Sequence, residues 1–98
     1  MQLRYGLLAE LEAAPGKGDA LAAFLTTARE TAAQEAGTVT WYAFKISDTT
    51  YGIFDTFAVE GARDAHLAGD IPVALAAIAP RLLAAEPTVR TIDIVAFK

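Results

Sequence analysis

Asp55-Thr56-Phe57-Ala58-Val59-Glu60-Gly61-Ala62-Arg63-Asp64-Ala65-His66-Leu67-Ala68-Gly69-Asp70 changes structural character repeatedly along its length. It begins as a strand, turns at Gly61, and continues as a short helix over Ala62–Ala68 that carries the only histidine of the chain. Gly69 interrupts that helix. Asp70-Ile71-Pro72 then restarts one, with the aspartate as N-cap and the proline in the first turn, where its missing N–H costs nothing.

Working upstream, Thr38–Ile46 is rich in β-branched and aromatic residues and reads as a strand apolar on both faces. Ser47-Asp48-Thr49-Thr50 supplies turn chemistry, and Tyr51–Val59 returns as the second arm of a hairpin. A turn about Thr49 would set Trp41 opposite Phe57, facing one cavity. Before the hairpin, Leu21, Phe24, Leu25, Ala28 and Ala32 recur at helical spacing between Asp19 and Glu35, and Gly37 is placed to close that helix. Asp19 is its N-cap or lies in its first turn. Gln2–Ala13 alternates as a strand, with Leu3, Tyr5, Leu7, Ala9 and Leu11 on one face, and Pro15-Gly16 ends it.

Downstream, Leu75, Ile78, Leu82 and Leu83 carry the apolar stripe of the last helix, which Pro80 is expected to kink or divide. Thr88–Phe97 is the final strand. The order β-α-β-β-α-β predicts an α+β, ferredoxin-like fold: an antiparallel sheet with helices on one face. The other face of strands apolar on both sides needs a cover, which a second copy of the same sheet supplies. A two-fold homodimer, its sheets facing one another as an α/β barrel, is the expected assembly.

Composition agrees with one domain over residues 1–98. The hydrophobic fraction is 54% against 20% charged, ample to offset chain entropy. A net charge of −4 argues against nucleic acid and against an anionic membrane surface as partners. No segment approaches the length of a membrane span and no signal-peptide layout opens the chain, so a cytoplasmic protein is expected. Without cysteine there is no disulfide, thiolate nucleophile or zinc–sulfur site. No glycine-rich phosphate loop is present, and the single serine, Ser47, lies in a turn, which sets aside nucleotide binding and serine-hydrolase chemistry.

Pro15-Gly16-Lys17 after the first strand, Glu35-Ala36-Gly37 before the second, Trp41-Tyr42 within it, and Asp55-x-Phe57 followed by Ala65-His66-Leu67 together resemble the antibiotic biosynthesis monooxygenase family. The resemblance spans nearly the whole chain in order and spacing. It implies a dimeric α/β barrel and, in its oxygenase branch, cofactor-independent oxidation of quinols or polyphenols by O2. His66 falls on the histidine common in the second helical region and Asp55 on a frequent acidic position of the third strand. Phe57 stands where the family most often has tryptophan, giving a ring face in place of an indole N–H. Tyr5-Gly6-Leu7-Leu8 lacks the asparagine of the haem-degrading branch, which disfavours haem chemistry.

His66 titrates near neutrality and is the first choice for a general base; the simpler reading is that it packs or caps a helix. Metal binding by it is not expected, for lack of a second histidine or cysteine. Asp55 either orients His66 or a substrate hydroxyl, or forms a salt bridge to Arg4, Arg63 or Arg90. Trp41, Phe57, Phe24 and Tyr42 are candidates to line an apolar pocket for a small aromatic substrate or ligand; the alternative is plain core. The expected function is a monooxygenase that needs no cofactor. The alternatives are a non-catalytic dimer that binds a small apolar molecule and, behind it, a haem-binding or haem-degrading relative.

Overall fold

The computed structural model describes residues 2–98. Four strands, β1 (Tyr5–Glu12), β2 (Thr38–Lys45), β3 (Thr50–Phe57) and β4 (Thr88–Asp93), form one antiparallel sheet in the order β2-β3-β1-β4. Helices α1 (Gly18–Ala33), α2 (Glu60–Leu67) and α3 (Asp70–Leu82) connect them. This is the α+β, ferredoxin-like β-α-β-β-α-β arrangement, with the second helix broken into α2 and α3 at Ala68-Gly69.

The helices share one side of the sheet. Leu11 of β1 and Tyr51 and Ile53 of β3 meet Leu21 and Leu25 of α1 and Leu75 of α3 in a single apolar cluster. Strand residues alternate sides, so Asp55 and Phe57 continue the same covered face toward α2. On the opposite side lie Leu8, Tyr42, Phe44, Phe54 and Ile92, with no helix over them. There Phe44 folds its ring across Gly52, where a Cβ would collide with it.

Several local expectations are corrected. The hairpin pivots on Asp48 rather than Thr49. Ser47 Oγ accepts from the Thr49 and Thr50 amides at 3.3 and 3.0 Å, and Thr50 O accepts from Ile46 N, which closes the turn one residue early. Trp41 therefore pairs with Asp55, and Phe57 pairs with Thr38 beyond a bulge at Val39. Asp70 is not an N-cap: Gly69 holds that position and Asp70 sits in the first turn, where its charge still suits the helix dipole. Gly61 lies inside the first turn of α2 instead of before it. Gly37 does not adopt a left-handed conformation; its missing Cβ matters because Ala62 Cβ would stand 2.7 Å away. Pro80 does not divide α3, because it sits in the last turn, where only its own bond back to Ala76 is lost. The last strand stops at Asp93, and one further bond, Ile94 N to Arg4 O, extends it.

Candidate functional site

His66 is brought to the sheet by the short helix α2, whose start at Glu60 follows directly from the end of β3. From there its ring reaches two carboxylates at once. Nδ1 lies 2.6 Å from Glu35 Oε1, just past the C-terminus of α1, and Nε2 lies 2.9 Å from Asp55 Oδ2 on β3. Phe57, fully buried, packs its ring 5.5 Å from the imidazole centroid at a tilt of 52°. Thr38, turned toward the helices by the bulge, donates its hydroxyl to Glu35 Oε1 at 2.8 Å.

The Asp55 contact is short but bent. Neither oxygen of its carboxylate meets the alignment of a hydrogen bond, so the approach to Nε2 is an ion pair, and Oδ1 has no partner at all. No arginine reaches Asp55: Arg63 instead lies over the Tyr5 ring and donates to Ile92 O. Desolvation by burial pulls the His66 pKa down. The attraction of Asp55 and then Glu35 outweighs it, and the imidazole is held above its ordinary value. The two carboxylates occupy opposite nitrogens of one ring and do not converge on a common point, and among the described residues no group of three or more potential ligands is arranged for a metal ion.

Two voids flank this trio. On one side Asp55 and His66 form the wall of a cavity of about 90 Å³, otherwise lined by apolar side chains including Leu7, Ile53, Ile71 and Leu75. At Pro72, Leu75 and Val89 it adjoins an open groove of about 560 Å³ along α3. On the other side, His66 and Glu35 border a cleft of about 340 Å³ with Gly37, Thr38, Ala62 and Asp70.

The four aromatic residues expected to build one pocket do not. Trp41 and Tyr42 line a separate groove between α1 and β2, with Arg29 and Lys45. Phe24 packs on the core cluster from α1. Phe57 is sealed against the imidazole. An apolar guest in the cavity beside His66 would meet aliphatic side chains. Glu35 is the residue that sequence reasoning missed as part of the site. Its signal was an acidic side chain at the C-terminal end of α1, where the helix dipole disfavours negative charge. Such a placement calls for a cationic partner from elsewhere.

No helix among the described residues is long and apolar enough to cross a membrane. Neither a family model nor a curated protein matches the chain. Among solved structures, it is similar to a protein of unknown function from Nitrosomonas europaea, with 43% identity and a TM-score of 0.95 over 98% of this chain and 93% of that one. It is also similar to a candidate antibiotic biosynthesis monooxygenase from Caulobacter crescentus, at 25% identity and TM-score 0.78 over 97% and 92% of the two chains. A second protein so described, from Nitrosomonas europaea, shares the fold at 12% identity and TM-score 0.81 over 97% and 94%. The chain belongs to the family of the 43% identical Nitrosomonas protein, within the antibiotic biosynthesis monooxygenase-like fold.

Proposed function

We propose that this chain is a cofactor-independent monooxygenase that oxidises an electron-rich aromatic, a quinol or polyphenol, with O2. The observation that carries the reading is the buried Asp55–His66 pair in the wall of an otherwise apolar cavity. Buried carboxylates without a full set of partners are costly and concentrate at working sites. A cavity of about 90 Å³ is smaller than the roughly 150 Å³ that accommodates benzene in an apolar core. A substrate would therefore place its hydroxyl end there and lay its remaining ring surface in the groove along α3.

In this reading the phenolic proton passes to the Asp55–His66 pair. The resulting anion is electron-rich enough to reduce O2 directly. One oxygen atom joins the ring and the other leaves as water, with the electrons supplied by the substrate. Leu7, Ile53, Ile71 and Leu75 shape the site and keep water from the anion. Two protomers pair through the uncovered face of the sheet, burying Phe54, Phe44, Leu8 and the half-exposed Tyr42.

Oxygen consumption over a panel of quinols tests the proposal. Uptake by the native protein should fall about a hundredfold or more in Asp55→Asn and in His66→Gln, with the fold intact. Equal uptake in all three overturns it. One observation favours a second reading, a non-catalytic binder of apolar molecules: both imidazole nitrogens are already engaged by carboxylates. Quinol binding without oxygen uptake selects that reading.

A further inference from the structure

The trio runs from the apolar cavity on one side of His66 to the cleft on the other. Asp55 is 1% exposed and borders the apolar cavity. His66 borders both that cavity and the cleft on its far side. The Glu35 side chain, 22% exposed, opens to the cleft and to solvent. We propose that Glu35 is the port through which the Asp55–His66 pair exchanges protons with solvent, Thr38 holding its carboxylate in line with Nδ1.

The geometry favours this direction of traffic over escape through the cavity. The cavity is walled by aliphatic side chains and offers a proton no further acceptor. On the cleft side, by contrast, Glu35 Oε1 stands 2.6 Å from Nδ1. The other charged groups near the port are acidic: Asp70 at the start of α3 lines the same cleft, and Glu30 and Asp70 border a neighbouring surface hollow with Glu35. On the helix that carries His66, Arg63 is turned toward Tyr5 and Ile92 and pairs with Glu60. Negative charge around the exit draws a proton outward.

The cycle rests on the oxygenase reading and closes within it. With His66 resting as the imidazolium of the ion pair, the substrate's proton passes to the Asp55 carboxylate. The imidazolium, its counter-charge now neutralised, gives up its Nδ1 proton to Glu35 and then to water. The ring is left neutral, with its hydrogen on Nε2. When the second oxygen atom leaves as water, it takes the proton held on Asp55, and Nδ1 is reloaded from solvent through Glu35. No proton is gained or lost by the protein over the cycle, and His66 returns to the imidazolium.

His66 is the only histidine, so its imidazole signals in nitrogen-labelled protein are unambiguous. In Glu35→Gln its titration should move to lower pH. In Glu35→Ala the solvent exchange of its ring protons should slow, and small carboxylate buffers such as formate should restore it in proportion to their concentration. Thr38→Val, which only loosens the port, should give a smaller change in the same direction. Unchanged titration in Glu35→Gln, or exchange in Glu35→Ala that is neither slowed nor buffer-dependent, overturns the port. These measurements need no substrate. If no quinol is oxidised, the function fails while the port is still decided. If quinols are oxidised, kcat should fall about a hundredfold in Glu35→Ala with KM little changed, and formate should rescue it.

Discussion

The two faces of β3 differ sharply in what they hold. Phe57 and Phe54 lie three residues apart on the same strand and point to opposite sides. Phe57 is completely buried under α2 beside an imidazole and two carboxylates. Phe54 stands on the uncovered face among Leu8, Tyr42 and Gly52, paired across the strands with Leu8 and Tyr42. The covered face thus holds charge inside a packed core, while the uncovered face is apolar around Phe54 and carries Glu10 and Arg90 toward its β1 and β4 side. A protein that wanted only a stable sheet would have placed them the other way round. Burying charge is expensive unless it is paired, and the proposed function accordingly puts the chemistry on the covered face and a second copy against the uncovered one.

The largest expected effects test that division directly. Phe57→Ala should lower folding stability by about 3–5 kcal/mol, as expected for a fully buried aromatic side chain. This is a large share of the roughly 5–15 kcal/mol that holds a typical domain together, and a urea melt will read it. Phe54→Glu should leave the protomer folded and abolish pairing. A charge in the centre of an apolar interface costs about 3 kcal/mol or more, which is over a hundredfold in dissociation constant. Light scattering at micromolar concentration distinguishes dimer from monomer. Phe54→Glu with unchanged mass would show that the uncovered face has no such role.

His66→Ala is of comparable size. It leaves Asp55 buried without its only close cation, a change that typically costs about 3–5 kcal/mol. The pH dependence has a definite sign. The folded-state pKa of His66 is raised, so its contribution is whole below the unfolded value of about 6.5 and is lost as pH rises through the raised value. The melting temperature of the native protein should therefore include a component that declines with pH across that window, and this component should vanish in His66→Gln. A native curve parallel to that of the variant would show that the trio is not coupled to folding.

How much of this was legible in the chain depends on whether the signal was periodic or spatial. The element order followed from alternation in β1, from β-branched and aromatic enrichment in β2 and β3, and from the helical stripe of Leu21, Leu25 and Ala28. Each of these is local. The hairpin register was not legible, because a Ser47-Asp48-Thr49-Thr50 turn admits more than one centre. Only the side-chain bonds of Ser47 place the pivot on Asp48. That one-residue difference decided which side chain faces Asp55. His66 and Asp55 stood out as types, the one as the lone histidine and the other as a carboxylate in a strand. Glu35 did not, since it joins the site only when α1 ends, the bulge turns Thr38, and α2 folds back over Gly37. Contacts made by three separate elements leave no spacing in the sequence.

The smallest effect concerns two neighbouring pairs on β2 and β3. Trp41 faces Asp55 on the covered side, and Thr40 faces Thr56 on the uncovered side. The threonine hydroxyls bond each other at 2.5 Å, closing a polar spot within an apolar face. Thr56 is buried, so Thr56→Val should strand the Thr40 hydroxyl and cost about 1 kcal/mol. Replacing both by valine removes donor and acceptor together and keeps the shape, so the double variant should return close to native stability. A double-mutant cycle by urea denaturation measures this coupling. Asp55 offers no such escape: its orphan oxygen is buried in the native protein. Neutralising Thr40 and Thr56 together should therefore be tolerated in both folding and oxygen uptake, whereas Asp55→Asn, almost isosteric, should spare the fold and remove the uptake. If Thr40→Val with Thr56→Val proves the more damaging change to oxygen uptake, the chemistry takes place on the uncovered face of the sheet.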